Sequence, residues 1–338
     1  MKKRGKGIGT MFYPIGSTGK PNPASAFLKV NHDGSVTAFV GMVDKGQGAT
    51  TALSQIIAEV LQISFKSIRM VTADTETTPY DHGTGASRVT YVAGNAVKKA
   101  AEVAKQMLLE SAAIKLGLAN AENLKLEAGK VIFDGYPTVA MTVEEAAWHS
   151  ERKLGKPIIV AESYTPALTG LDPETGQGKP FETHIYATQI AEVEVDTETG
   201  EVDVLKIVAV HDCGRVLNPI MVEGQVEGGV VMGQGYALME EILEDKVQGG
   251  VLNNSFVDYA IPTAMDAPGE IIVDFIEEPE EKGPFGAKGI SEPTQLPTAP
   301  AIINAIYDAI GVRIYDLPAT PDKILKALAE QSKKQEEM

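Results

Sequence analysis

Cysteine is almost absent from this sequence: Cys213 stands alone among 338 residues. A lone thiol closes no internal disulfide, and no CxxC or paired His/Cys spacing is present to hold zinc or an iron–sulfur cluster. Clustered positive charge is missing too. Lys2-Lys3-Arg4 is the longest basic run, the others, such as Lys333-Lys334, being pairs, and the formal net charge is −16. That balance argues against a surface that tracks phosphate backbone, and so against nucleic acid as a partner. No apolar run is long enough to cross a bilayer, and Met1-Lys2-Lys3-Arg4 leads into glycines rather than the apolar core of a secretion signal. The expectation is a cytoplasmic protein without membrane contact. What is present is globular composition, 43% hydrophobic and 22% charged, long enough for one large or two medium domains.

The opening stretch GKGIGTMFYPIGSTGKPNP is so rich in Gly and Pro that it reads as a buried loop, carrying Met11, Phe12 and Tyr13 against a ligand or a second chain. ASAFLKVNHDGSVTAFVG predicts a hairpin turning at His32-Asp33-Gly34. Leu53, Ile56, Ile57, Val60 and Leu61 fall on one helical face. Ile68 to Val71 reads as a short strand and Ala96 to Leu116 as a long Ala-rich helix. A second hairpin sets Ile190, Val193 and Val195 before a turn at Thr199-Gly200, and Val202, Val204 and Ile207 after it. Pro300 to Ile310 predicts a helix stopped by Gly311, and Thr320-Pro321 opens a last one. Strands and helices mix without regular βαβ alternation, which predicts the α+β class with mixed or antiparallel sheets and packed helices. The expected divisions are 1–117, a boundary or excursion over 118–178, a second portion 179–330 and a fraying polar tail 331–338.

Three glycine-rich loops adjoin helices: Gly46-Gln47-Gly48, His82 to Arg88, and Gly283 to Gly289. Glycine lets backbone approach a ligand, and a helix N-terminus offers unpaired amides to an anion. Each loop reads either as a cradle for phosphate or a flat cofactor, or as a tight turn; the long polar side chains of Gln47 and Arg88 favour the cradle. Neither GxGxxG between strand and helix nor GxxxxGK[ST] occurs. Glu292, in GAKGISEPT, is flanked by small residues, and Pro293 biases it towards extended backbone. In a confined site its carboxylate would gain the raised pKa of a general base; otherwise it is a surface glutamate. His211 and Asp212 are adjacent in a strand and point to opposite faces, which predicts separate structural roles. Cys213 reads as a small buried apolar residue. Gly224 to Gly235 predicts a helix packed at close range or, alternatively, a cofactor contact.

In order, DKGQGATTALSQIIAEVL, DTETTPYDHGTGASRVTYVAGNAV, AEVEVDTETGEV, HDCGRVLNPIMVEGQVEGGVVMGQGYALMEE and GPFGAKGISEP resemble the molybdopterin-binding portion of the xanthine dehydrogenase and aldehyde oxidoreductase family. The likeness is to the second half of that family's large polypeptide, as in the nicotinate dehydrogenase branch, where a medium molybdopterin subunit carries this half separately. The resemblance implies Glu292 as catalytic base. It also implies Gly46, Gln47 and Gly48, with Ala86, Ser87 and Arg88, as cofactor-binding residues. The implied cofactor is molybdopterin with molybdenum, in its cytosine dinucleotide form, with no protein ligand to the metal and no Fe–S cluster or FAD on this chain. Implied partners are a first-half molybdopterin subunit and separate iron–sulfur and FAD subunits. The implied reaction is hydroxylation of an N-heteroaromatic, nicotinate-like or purine, with water as the oxygen source. Phe12 and Tyr13 either stack on that substrate or pack internally. An aldehyde oxidoreductase subunit and a non-catalytic, cofactor-holding assembly subunit are the rival readings. Ser291 stands where the motif usually has Gly, and Met232 where many members carry Gln.

Overall fold

The computed structural model describes residues 1–17 and 19–336. Its strands and helices in chain order are β1 (Lys2–Pro14), β2 (Ala24–Val30), β3 (Val36–Val40), α1 (Ala49–Leu61), β4 (Ile68–Thr72), α2 (Gly94–Leu116), β5 (Leu124–Glu127), β6 (Lys130–Phe133), β7 (Tyr136–Thr142), α3 (Val143–Arg152), β8 (Ile158–Tyr164), β9 (His184–Asp196), β10 (Val202–Asp212), α4 (Pro219–Leu238), β11 (Ile271–Phe275), α5 (Thr298–Ile310) and α6 (Pro321–Glu336). Mixed sheets with packed helices make this an α+β protein. The chain divides into two compact units: one of Met1–Tyr13, His184–Glu278 and Ile290–Met338, the other of Pro14–Thr183 and Pro279–Gly289.

In the first unit the sheet order is β1-β9-β10-β11, with β9 and β10 antiparallel and β11 parallel to β10. Its inner face carries Ala191, Val193, Ile207 and Ala209, which pack on Val226 and Val230 of α4 and Ile302 and Ile306 of α5. Burying these side chains together is the main stabilising term of this unit. The predicted hairpin forms, with Val195 paired to Val202. Its odd step from Val204 to Ile207 is absorbed by a bulge between Val204 and Lys206, which returns Ile207 to the core face. Ile190 lies three residues before Val193 with no such bulge. It therefore points to the other face, 43% exposed, contrary to its expected grouping with Val193 and Val195.

The glycine-rich start is strand, not the loop its composition predicts. It forms β1, at the edge of the sheet. Gly5, Gly7 and Gly9 alternate on the face towards α5. A Cβ there would stand 2.2 Å from the Ala305 carbonyl, 2.1 Å from the Ala305 amide and 2.2 Å from the Pro297 carbonyl, respectively. Composition reads these glycines as breakers; their period of two instead lets a helix backbone approach a strand backbone. At the other end α6 stays helical through Glu336, where fraying was expected; the last two residues lie outside the described ones.

The second unit has sheets β4-β3-β2-β8 and β5-β6-β7. The first hairpin turns as predicted, Val30 pairing with Val36 and Gly34 at φ +78°. β3 and β4 run parallel, with α1 as the crossover between them. α2 lies against β2 and β8, where Ala96, Ala100 and Ala104 are buried and keep the approach close. Residues 118–178 supply β5 to β7, α3 and β8. A capping box between Thr142 and Glu145 starts α3. Among the described residues no helix is long and apolar enough to cross a membrane.

Candidate functional site

The second unit gathers all the glycine-rich loops. Asp44 anchors the first: its carboxylate accepts from the amides of Gly46 (3.0 Å), Gly48 (3.2 Å) and Thr50 (2.9 Å) and from the Thr50 hydroxyl (2.8 Å). Burial pushes Asp44 up, but these hydrogen bonds outweigh it and hold the group below the usual carboxylate range. Of the α1 amides, that of Thr50 is thus taken by this side chain. Gln47 folds over its own loop, Oε1 accepting from Lys45 N at 2.6 Å and Nε2 donating to the Val43 carbonyl at 3.3 Å. Gly46 (φ +107°) and Gly83 (φ +114°), with Gly85, have open space where a Cβ would stand. Such a rim lets a flat group reach the backbone directly.

Two hydrogen bonds staple the first loop to the second. Val43 N donates to Thr84 Oγ1 at 2.8 Å, and that hydroxyl donates back to the Val43 carbonyl at 2.7 Å. The third loop closes on the second at Gly289, where a Cβ would stand 1.7 Å from the Ser87 carbonyl oxygen, so only glycine fits. Ala86 and Ser87 are both left-handed, at φ +50° and +51°. Non-glycine residues hold that conformation only when their surroundings impose it, and such residues concentrate at functional sites. A π-helical turn, Val89–Ala93, follows at once.

Arg88, expected to bind cofactor, is only 2% exposed and is engaged throughout by its own chain. Its Nη1 donates to Asp81 Oδ1 (2.5 Å) and the Gly83 carbonyl (2.8 Å), and its Nη2 to the carbonyls of Asn22 and Pro23 (both 2.9 Å). The guanidinium shapes the loop from beneath. Asp81 Oδ2 is buried with no hydrogen-bond partner. Sequence reading also missed Glu182, which accepts from Tyr91 (3.1 Å), Tyr164 (2.6 Å) and Lys282 (3.0 Å), tying the third loop to β8 and the π-helical turn. Burial pushes both phenols up. No local motif announces this cluster.

Glu292 lies in the first unit. Instead of standing on an extended wall, it opens a 3-10 turn, Glu292–Thr294. Ser291 has φ −158°, which any residue adopts, so replacing the family's glycine creates no left-handed strain. The turn is fastened from several sides. Thr294 Oγ1 donates to the Ser291 carbonyl at 2.7 Å, and Gln189 Nε2 donates to the Thr294 carbonyl at 2.8 Å. A Cβ on Gly229 would stand 1.9 Å from Thr294 Oγ1, and one on Gly233 2.5 Å from Thr298 Cβ. The close-packed helix predicted over this stretch is α4, and its glycine groove seats the turn. Met232 is exposed on the same helix.

Tyr13 is near enough to feel Glu292: burial, and then that carboxylate's charge, hold its phenol above the usual range. Phe12 points the other way, 70% exposed, with its ring centroid 6.1 Å from that of His184. The two aromatics therefore cannot clamp one substrate ring from the same side. His211 is buried, its Nε2 3.4 Å from Gln189 Nε2, and burial pushes it down to about 4. As predicted, it faces away from Asp212, and Cys213 is buried. Gln189 went unnoticed, although its signal is legible: it is polar in the inward register of β9, between Ala187 and Ala191. Among the described residues no group of His, Cys, Asp and Glu is arranged to hold a metal ion.

Comparison with known proteins adds the lineage. A family profile for the molybdopterin cofactor-binding domain matches residues 1–268. The xanthine dehydrogenase molybdenum-binding subunit of Escherichia coli O157:H7 is 34% identical over 333 residues, 95% of this chain and 42% of the relative. The nicotine 6-hydroxylase large subunit of Paenarthrobacter nicotinovorans is 34% identical over 310 residues, 90% of this chain and 36% of its own length. Among solved structures, reconstituted CO dehydrogenase from Oligotropha carboxidovorans superposes with a TM-score of 0.86 at 29% identity, covering 99% of this chain and 41% of that one. Quinoline 2-oxidoreductase from Pseudomonas putida 86 gives 0.85 at 28% identity, covering 97% and 42%. The chain thus spans well under half the length of the relatives it matches. By the extent of the profile and the near end-to-end alignments, it belongs to the molybdopterin cofactor-binding domain of the xanthine dehydrogenase family.

Proposed function

We propose that this chain is the molybdopterin-binding catalytic portion of a molybdenum hydroxylase that oxidises an N-heteroaromatic, nicotinate-like or purine, with water as the oxygen source. The observation that carries the reading is the pair of hydrogen bonds between Val43 and Thr84, because they join the two loops that resemble the family's cofactor loops. The residues fit such a group: open glycine positions at 46, 83 and 85 form a rim that a Cβ would fill. Bound molybdopterin supplies a redox metal centre that takes up the electrons removed from the substrate. Gly46, Gln47, Gly48, Ala86 and Ser87 hold the cofactor, in its cytosine dinucleotide form, and Arg88 acts by holding its loop in shape. Glu292 receives a proton on its carboxylate as general base. Tyr13, kept a neutral phenol, donates a hydrogen bond towards the substrate. A chain supplying the family's first half, and separate iron–sulfur and FAD subunits, complete a cytoplasmic assembly of nicotinate dehydrogenase type.

The test is the purified complex, assayed for molybdenum, for cytidine monophosphate released by acid, and for turnover of nicotinate, purines and aldehydes. Glu292→Gln should retain the cofactor and lose turnover by about 10²–10⁴-fold, the usual contribution of a positioned base. Wild-type turnover in that variant removes the base assignment. Absence of molybdenum removes the cofactor assignment, and turnover of aldehydes alone transfers the chain to the aldehyde oxidoreductases.

A further inference from the structure

The second glycine-rich loop holds a strained shape. Ala86 and Ser87 are successive left-handed residues, at φ +50° and +51°, and neither is glycine. Such backbone persists only where its surroundings over-determine it. Part of the support is direct. Gly16 N donates to the Ala86 carbonyl at 3.0 Å, and Gly289 lies so close to Ser87 that a Cβ would stand 1.7 Å from the Ser87 carbonyl oxygen. Gly289 ends Pro279–Gly289, a strap that rejoins the second unit far along the chain from the rest of it. The strap can back the loop only as firmly as it is itself held.

The strap sits on α2. Asn95 Nδ2 donates to the Lys282 carbonyl at 2.8 Å, a Cβ on Gly94 would stand 2.9 Å from Pro284 Cγ, and Lys98 Nζ lies 5.4 Å from the centre of the Phe285 ring. The same Asn95 Nδ2 donates to the Tyr91 carbonyl at 2.9 Å, inside the π-helical turn that follows Arg88. Strap and turn meet again through Glu182. Its carboxylate accepts from Lys282 Nζ on the strap and from the Tyr91 hydroxyl on the turn, and is itself anchored by the Tyr164 hydroxyl of β8 and the Ala167 amide. The side chain is 6% exposed. Burial alone would push it up, but these hydrogen bonds outweigh burial and hold it below the usual carboxylate range, so it stays charged. A charge in so dry a place carries a desolvation penalty that apolar packing would avoid. What the charge adds is direction: it fixes strap and turn at defined distances from one another.

We propose that Glu182 is a positioning residue for the cofactor: by clamping the strap and the π-helical turn together, it holds Ala86 and Ser87 in the left-handed shape in which their backbone meets molybdopterin. The inference rests on the function proposed above. Glu182 acts at one remove, through Lys282 and Gly289 on one arm and through Tyr91 and Arg88 on the other. Each arm ends beside Ser87. Losing either arm therefore loosens the loop, and losing the second adds little once the clamp is open. A side chain that merely stabilised the unit would act on all of its elements alike.

The experiment follows the purified complex by two readouts, molybdenum retained after dilution and amide exchange measured by mass spectrometry. Glu182→Ala, Lys282→Met and Tyr91→Phe should each lose molybdenum about tenfold faster than wild type, the factor expected for one broken hydrogen bond to a charged group. Exchange over residues 86–93 should rise by a similar factor, while β6 (Lys130–Phe133) exchanges as in wild type. Glu182→Gln, which keeps an acceptor for the phenols, should fall between. The double variant Lys282→Met with Tyr91→Phe should match Glu182→Ala rather than multiply the single effects. Lys125→Ala, which breaks exposed ion pairs of the same unit, should behave as wild type. Should Glu182→Ala fail to fold, the two single-arm variants and their combination decide the matter. Wild-type retention and exchange in the variants overturn the proposal. So do multiplied effects in the double variant, or faster exchange spread equally over residues 86–93 and β6. Molybdenum in the wild-type complex separates the two readings. A wild type that holds none defeats the proposed function, with exchange over residues 86–93 still deciding the clamp, whereas a loaded wild type whose variants stay equally loaded defeats the clamp alone.

Discussion

Gln189 and Thr294 are joined by one buried hydrogen bond, 2.8 Å from amide nitrogen to carbonyl oxygen, which ties the turn opened by Glu292 to the middle of β9. The other end of the same amide accepts from the Thr298 hydroxyl at 2.6 Å, so one side chain fixes both the turn and the start of α5. Gln189→Leu leaves a carbonyl and a hydroxyl without partners in a dry place. The expected loss is about 1–3 kcal/mol, read as a lower urea midpoint at unchanged slope. A wild-type midpoint would show that the turn holds without the bond.

Adjacent glycines of α4 should respond in opposite directions. A Cβ on Gly228 meets nothing within 4 Å, whereas one on Gly229 would collide with Thr294. Gly228→Ala should stabilise by about 0.5–1 kcal/mol through reduced backbone freedom in the unfolded chain. Gly229→Ala should destabilise by about 1–3 kcal/mol as turn and helix are forced apart. Thermal midpoints of the two variants decide the matter, and shifts of the same sign would refute the groove.

The Arg88–Asp81 pair is buried at both ends, with side chains 2% and 0% exposed. Removing the guanidinium strands a carboxylate away from water, so Arg88→Ala should cost about 3–5 kcal/mol. Arg88→Lys keeps the charge but lacks the fork that serves Asp81, Gly83, Asn22 and Pro23 together, and should fall between. If Arg88→Ala proved as stable as wild type and lost only cofactor, the arginine would be a direct cofactor contact instead.

Burial lowers His211 from its ordinary 6.5 to about 4 in the folded state. Between those values the unfolded chain binds the proton more readily, so stability is fully present above about pH 6.5 and falls as the pH drops towards 4. The full effect is about 3 kcal/mol, from 1.36 kcal/mol per unit. His211→Leu should flatten the stability profile through that window. An unchanged slope in the variant would assign the pH dependence to other groups.

Much of the fold was legible before any coordinates. The apolar spacing of Leu53, Ile56 and Ile57, the turn residues Asp33-Gly34 and Thr199-Gly200, and the stop at Gly311 are short-range instructions, and each acts where it stands in the chain. β1 was not legible by composition, because its glycines answer to a helix some 300 residues away in sequence rather than to their neighbours.

The sequence alone determined the two hairpins, the main helices, the α+β class, the glycine loops and the acid at position 292, since these depend on local propensity and residue type. Only the tertiary structure decided that Val43 meets Thr84, that Arg88 donates to the carbonyls of Asn22 and Pro23, and that Gln189 secures the turn of Glu292. Each of these is a directional bond between residues distant in sequence. Such a bond exists only once packing has brought donor and acceptor within about 3 Å, and no pattern along the chain encodes that distance.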